Sequence, residues 1–283
     1  MVGGQTMFLQ STGEEQKEAI KHFYDRLSPH FRSLWGPHLH DGYYKTGKET
    51  RERAQEQLVE FLAELAEIPR GSRVLDVGCG LGATSVWLAE HLACRPTGVT
   101  LSDQQVQMAR ELAAEHQVEA EFQVMDAEHL EFEETFDAIW MVGVLGHLPC
   151  QESFLRSAHR LIRSKGRFLL ADWTVGPEVG ESDYAALVEP VIKGMLMPTI
   201  VPVDSYVQWF EESEFKVGKS VDITEETRKT WEQSVQIVQA PKVFKLATSL
   251  GRDALDLLSA VRAMKKAMKR RLVRYSVVVA EKI

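Results

Sequence analysis

Apolar positions along this chain change period more than once, and each change predicts a different element. Over residues 14–34, Ile20, Phe23, Tyr24, Leu27, Phe31 and Leu34 recur every three or four positions, the spacing of one helix face. Pro29 falls inside that run and is expected to divide it into two helices, since proline lacks an N–H and crowds the preceding turn. A charged amphipathic helix follows over 48–67, with Leu58, Phe61, Leu62 and Leu65 on its apolar face and Pro69 beyond its end. From residue 73 short apolar runs alternate with helical periodicity. Strands are predicted over 74–77, 97–101, 121–124, 136–142 and 167–172, the last after a Lys165-Gly166 turn. Helices are predicted over 84–91, 103–116 (with Ser102 as N-cap) and 151–161. That alternation argues for an α/β fold built on a doubly wound, mostly parallel sheet. Residues 177–272 break it, with a helix over 203–212, a strand-like stretch at 215–223 and mainly helical patterning from 225. The β-branched run at 274–281 suits a last strand.

In such a sheet, ligands sit outside the carboxyl ends of the strands, at the switch point. The sequence marks that place with Val74-Leu75-Asp76-Val77-Gly78-Cys79-Gly80-Leu81-Gly82, an apolar strand running into alternate glycines and a helix start. Glycines allow a sharp turn and close approach of a ligand, and the free N–H groups of the helix favour an electron-rich one. Gly78, Gly80 and Ala83 also satisfy the dinucleotide fingerprint, so an NAD(P) oxidoreductase is one reading. Two residues oppose it. Asp76 would sit beside a pyrophosphate, where its charge is unfavourable, but suits a cationic ligand. The second strand ends in Val99-Thr100-Leu101 with no acid for ribose hydroxyls, which leaves that work to Gln105. An adenosine carrying an ammonium and a sulfonium, S-adenosyl-L-methionine, fits these features better.

Composition narrows the classes further. With 283 residues, 44% hydrophobic and 26% charged, the chain can bury a full core, and its formal charge of −8 disfavours nucleic acid as a partner. No apolar run is long enough to span a bilayer, so stable membrane insertion is not expected. Met1–Gln10 lacks signal-peptide features, and the three cysteines have no CxxC spacing, so a cytoplasmic protein without a metal site is expected.

The motif just described resembles the first motif of class I S-adenosylmethionine-dependent methyltransferases. Gly98-Val99-Thr100-Leu101-Ser102 with Gln105 resembles the second-strand motif of the subgroup holding tocopherol methyltransferases, cyclopropane-fatty-acid-type enzymes and rebeccamycin-type sugar O-methyltransferases. Met125-Asp126-Ala127 is similar to its adenine motif, and Trp35-Gly36…His40-Asp41-Gly42-Tyr43-Tyr44 to its N-terminal flap. The resemblance implies a seven-stranded sheet with N-terminal helices and a helical cap inserted before the last strand. The implied units are 1–70 (helices and flap), 71–176 (cofactor-binding core), 177–272 (acceptor cap, with one core strand near 215–223) and 273–283 (final strand). It implies that Asp76 and Gly78, Cys79, Gly80 and Gly82 hold the methionine part, with Tyr43 closing over it. Thr100, Leu101 and Gln105 would meet ribose and adenine, Asp126 and Ala127 the adenine edge, and Val142 and His147 would complete the cofactor site. S-adenosylhomocysteine would be the product.

For the chemistry, methyl transfer needs a positioned nucleophile and sometimes a base. His147 follows the fourth strand, at the place of a histidine in tocopherol-type enzymes, and is a candidate base or a structural histidine. Gly146 stands where tocopherol and cyclopropane enzymes carry Glu. Asp172, ending the fifth strand, could orient His147 or an acceptor hydroxyl, because a buried carboxylate requires a partner or a ligand. Cap residues Trp173, Tyr184, Leu187, Met195, Met197, Trp209, Phe210, Trp231 and Phe244 suggest an apolar or ring-bearing small-molecule acceptor, methylated at O or C, with N open. The basic run from Arg262 to Arg274 reads as a solvated helix face, or as contact with an anionic acceptor. A non-catalytic binder of the cofactor is the remaining alternative, and a homo-oligomer is possible on this sequence.

Overall fold

The computed structural model describes residues 13–283, so the reading of Met1–Gln10 lies outside the described residues. At its centre is β1 (Arg73–Val77), whose residues 74–77 are all buried. The chain then winds through α3 (Ala83–Leu92), β2 (Arg95–Thr100), α4 (Asp103–Glu115), β3 (Glu121–Val124), β4 (Phe136–Val142), α5 (Gln151–Leu161) and β5 (Ile162–Val175). After residue 180 come a short α6 (Glu181–Asp183), a π-turn over Tyr184–Val188, α7 (Glu189–Gly194) and α8 (Val203–Glu212). Last are β6 (Phe215–Asp222), α9 (Thr224–Thr227), α10 (Lys229–Val238), α11 (Pro241–Leu250), α12 (Arg252–Lys269) and β7 (Val273–Lys282). Two helices, α1 (Gly13–Trp35) and α2 (Arg51–Leu65), precede the sheet.

The seven strands lie in the order β3-β2-β1-β4-β5-β7-β6, with β7 antiparallel to both its neighbours. Because the order reverses at β1, with β2 on one side and β4 on the other, the crevice for a ligand lies over the ends of β1 and β4. Ser102 caps α4 as expected, its Oγ accepting from the Gln105 N–H at 3.1 Å. Thr50 caps α2 in the same way.

Three local expectations are corrected. Pro29 lies inside one continuous α1. Phe23 and Tyr24 before it and Phe31 and Trp35 after it form one chain of ring contacts, so packing along the apolar stripe outweighs one lost helix hydrogen bond. Lys165-Gly166 does not start a strand. It forms an irregularity inside the continuous β5, with Lys165 at φ +61°, so that Ile162 and Arg167 pair with Phe136 and Ala138. The basic helix ends at Lys269. Arg270 pairs with Asp183, while Arg271 and Arg274 pair with Asp222, so the far end of that run is tied into ion pairs.

The two ends of the segment between β5 and β7 meet where the Gly176 N–H donates to the Leu272 carbonyl at 2.8 Å, and in between the segment contributes β6 to the sheet. Its helices α7, α10, α11 and α12 pack on one another through residues such as Val191, Val235, Val243 and Met264. No described helix is long and apolar enough to cross a membrane.

Candidate active site

The strand ends define one large cavity, about 1120 Å³ including its open mouth. Its floor is the glycine turn. From β1 the chain folds over the end of β2, so that the N–H groups of Gly78 and Cys79 both donate to the Val99 carbonyl, at 2.8 and 3.0 Å. That path requires positive φ at Gly78, Gly80 and Gly82. Of the residues implicated by sequence, Gly78, Gly80, Thr100, Leu101, Gln105, Asp126, Ala127, Val142 and His147 all line this cavity. Asp76 and Cys79 line a small cleft beside it that shares Gly78, Gly80 and Val142 with the main space.

Three of the expected residues do not face the cavity. Tyr43 stacks on Phe61 of α2, with ring centroids 4.5 Å apart and planes 13° from parallel, so its ring is turned away from the cavity. From the flap, Leu39, His40 and Asp41 line the wall instead, as does Tyr24 of α1. Gly82 packs under α4, where a Cβ would lie 2.6 Å from the Ala109 Cβ. Asp172 is buried below the 145–147 turn. Its Oδ2 accepts from the Gly146 N–H at 3.0 Å and its Oδ1 from the Trp173 N–H at 2.8 Å. The partner that a buried carboxylate demands is therefore the backbone of the turn that carries His147. The space beside Gly146 is filled by the Met197 methyl, which a side chain in that place would strike.

His147 itself is buried, with its ring edge-on to Tyr24 at 6.2 Å. Burial lowers its pKa, which keeps the imidazole neutral near pH 7. A carbonyl can only accept, so the 3.4 Å contact with the Leu196 carbonyl places the proton on Nδ1. Nε2 keeps its lone pair and has no protein partner among the described residues.

At the other end of the cavity, α1 lies over the strand ends and is held there by charge. Lys17 pairs with Asp126 and Glu128, each at 2.7 Å, and Lys21 with Asp25 and Asp103. Asp25 in turn accepts from the Ser102 hydroxyl at 2.5 Å. Lys17, Tyr24, Asp41 and Gly143 are site residues that sequence reasoning did not single out. The available hints were the helical period that includes Tyr24 and the flap motif that includes Asp41.

Asp76, Asp41 and Asp172 are all fully enclosed, and burial pushes their carboxyl pKa values up to about 6, 7 and 6. Hydrogen bonds from the Ser85 hydroxyl to Asp76 and from the Trp173 indole to Asp41 offset only part of that cost. The folded chain thus binds more protons than the unfolded chain between about pH 4 and 7. Stability is expected to fall as pH rises through that window and to level off above it. Urea midpoints at pH 5, 6, 7 and 8 check this, and Asp41→Asn is expected to flatten the curve by about 4 kcal/mol at pH 8. An unchanged slope in that variant would show that Asp41 is not the titrating group.

A second, apolar chamber adjoins the cavity. Phe23, Phe31, Trp35, Trp231, Leu257 and Val261 line it, and it shares Tyr24, Leu39, His40, Asp41, Trp173 and Met195 with the first. Of the cap residues suggested by sequence, Trp173, Met195 and Trp231 thus meet the chambers. Phe210 is buried against Phe168 and Phe215, and Phe244 is exposed.

Comparison with known proteins accords with this geometry. Residues 11–240 match the family model for mycolic acid cyclopropane synthetase. The chain belongs to that family. It is a methyltransferase that uses S-adenosyl-L-methionine. It is 30% identical to 27-O-demethylrifamycin SV methyltransferase of Amycolatopsis mediterranei, over 75% of this chain and 79% of that one. It is 25% identical to the chloroplastic tocopherol O-methyltransferase of Arabidopsis thaliana, over 95% of this chain and 83% of the relative. Among solved structures, the [4+2]-cyclase SpnF superposes with a TM-score of 0.83 at 23% identity, covering 94% of this chain and 96% of that one. That likeness speaks for the fold alone, and its name shows that the fold does not dictate the reaction.

Proposed function

We propose that this methyltransferase modifies a hydroxyl, or a carbon activated by one, on an apolar small molecule, with His147 as the proton acceptor. The observation that carries the reading is the apolar chamber opening onto the cofactor cavity, together with the neutral imidazole of His147, which lines that cavity beside Tyr24, a residue common to both spaces.

The residues present suit the cofactor. Gly143, at φ +68°, lines the cavity, and a Cβ there would meet nothing within 4 Å, so the glycine leaves room that a side chain would take. The Gln105 Oε1 accepts from the Thr100 hydroxyl at 2.7 Å, which turns its amide N–H groups toward other partners, such as ribose hydroxyls. Asp126 would hold the adenine edge, and Asp76 would balance the positive charge of the methionine part. When bound, the cofactor supplies an electrophilic methyl group on a sulfonium.

For its part, the protein orients the acceptor and removes a proton. Apolar walls exclude water, which strengthens the polar contacts that remain. The Leu196 carbonyl holds Nδ1–H of His147, leaving Nε2 to take the hydroxyl proton. The relatives named above bear on this reading through their names, which describe methylation of a rifamycin and of a tocopherol.

The test is a panel of phenols, hydroquinones, terpene alcohols, amines and sugars, incubated with the enzyme and cofactor labelled on the methyl group. Label is expected in the hydroxylated apolar members, and His147→Asn is expected to lower their rates by about 100-fold with S-adenosylhomocysteine affinity little changed. Transfer to amines alone, or a variant with wild-type rates, would refute the reading.

A further inference from the structure

Several buried polar atoms near the acceptor chamber have no hydrogen-bond partner among the described residues. They include Asp41 Oδ1, Trp231 Nε1 and Tyr275 Oη. Such atoms are uncommon in folded proteins, because each forfeits its bonds to water without replacement. Of these, Asp41 Oδ1 is an acceptor and Trp231 Nε1 a donor, and both belong to residues lining the apolar chamber.

Their arrangement follows from the fold. In hydrogen-bond geometry Asp41 is held through Oδ2, which accepts from the Trp173 indole N–H at 2.9 Å, while the Thr230 hydroxyl lies near enough to lower its pKa without forming a bond. Trp173 and Tyr275 are direct neighbours across the β5–β7 register, and Trp173 meets Trp231 of α10 edge-on at 5.7 Å. Trp231 is close enough to Asp41 to lower its pKa, yet it does not reach hydrogen-bond geometry. Gly42, next in the flap, donates its N–H to the Thr230 hydroxyl at 2.9 Å, which fixes the flap against α10 on this side. Asp41 also lines the cofactor cavity, so its free oxygen stands where the two spaces meet.

We infer that Asp41 Oδ1 and Trp231 Nε1 form a receptor for one hydroxyl of the acceptor, the hydroxyl donating to the carboxylate while its oxygen accepts from the indole. A hydroxyl is the smallest group that supplies a donor and an acceptor from one atom, and it answers both unmet needs at once. The surrounding aromatic and aliphatic walls make its bearer an apolar phenol or alcohol. An ether in the same place would satisfy Trp231 and leave Asp41 unpaired, so the receptor discriminates against the ether. This inference rests on the reading of a hydroxylated apolar acceptor given above. It adds a specificity-determining pair on the flap and cap, apart from His147.

The experiment compares 4-hexylphenol with 4-hexylanisole by calorimetry, on the full chain saturated with S-adenosylhomocysteine. Wild type is expected to bind the phenol at least tenfold more tightly. Asp41→Asn can keep its amide oxygen on the Trp173 N–H, which puts an NH₂ group where Oδ1 was. That variant is expected to bring the preference to within twofold, and Trp231→Phe to about threefold, with S-adenosylhomocysteine affinity kept within threefold in Trp231→Phe, whose side chain lines only the apolar chamber. Equal binding of the two probes by wild type overturns the inference, as does failure of the phenol to bind. A preference that survives in Asp41→Asn overturns it too, even if melting temperature falls, since that would mark a purely structural role. Phenol preference without methyl transfer to any acceptor would leave the receptor standing and remove the catalytic reading instead.

Discussion

Asp172→Asn is expected to slow methyl transfer by about 100-fold while leaving S-adenosylhomocysteine affinity within threefold. Each carboxylate oxygen accepts from a backbone N–H, one at Gly146 and one at Trp173, and an amide can serve only one of them. Its NH₂ group must then face the other N–H, donor against donor, at a residue only 1% exposed. The turn over Leu145–His147 shifts, and the imidazole at its end shifts with it. A displacement of about 1 Å suffices for a rate loss of that size. None of the cofactor-lining atoms belongs to Asp172, so binding is spared. Single-turnover transfer to an acceptor found in the panel, paired with calorimetry on S-adenosylhomocysteine, separates the two effects. An unchanged single-turnover rate would show that the turn keeps its shape without the carboxylate.

The second large effect distinguishes two glycines of left-handed conformation. Gly82→Ala places a Cβ 2.6 Å from the Ala109 Cβ and 3.0 Å from both the Ala109 Cα and the Phe122 ring, at φ +81°. Backbone strain of roughly 1–2 kcal/mol and overpacking of about 1–3 kcal/mol together remove a large share of ordinary domain stability. The urea midpoint is expected to fall accordingly. Gly143→Ala has the same kind of backbone but open space around the new methyl group. It is expected to retain most of its stability and lose at least about tenfold in S-adenosylhomocysteine affinity, a steric cost of about 1.4 kcal/mol or more. Wild-type affinity in Gly143→Ala would mean that the cofactor lies elsewhere in the cavity.

The sheet was legible because parallel strands buried on both faces become apolar runs, and helices between them show a different period. The glycine turn and the Ser102 cap were legible because their parts lie within a few residues of each other in the chain. What remained hidden depended on partners distant in sequence. Pro29 signals a break, and nothing local shows that Phe23 and Phe31 would be packed together across it. In the flap, Tyr43 was expected to face the ligand, and Asp41 was only part of the motif. Phe61 of α2 and Trp173 of β5 decide which does, claiming the Tyr43 ring and one oxygen of Asp41. Asp172 was recognised as needing a partner, but its partners are backbone N–H groups, which every sequence contains and none announces.

The joint between Gly176 and Leu272 has a consequence for how this enzyme could change its taste. About a third of the chain is inserted between two backbone positions that touch, and it meets the sheet again through β6 and a shared apolar core, so a change in its length can be taken up without moving its two ends. A foreign cassette spliced there would inherit the cofactor machinery intact. It would have to bring its own edge strand to lie on β7, as β6 does, and its own answer to the lone carboxylate oxygen waiting on the flap.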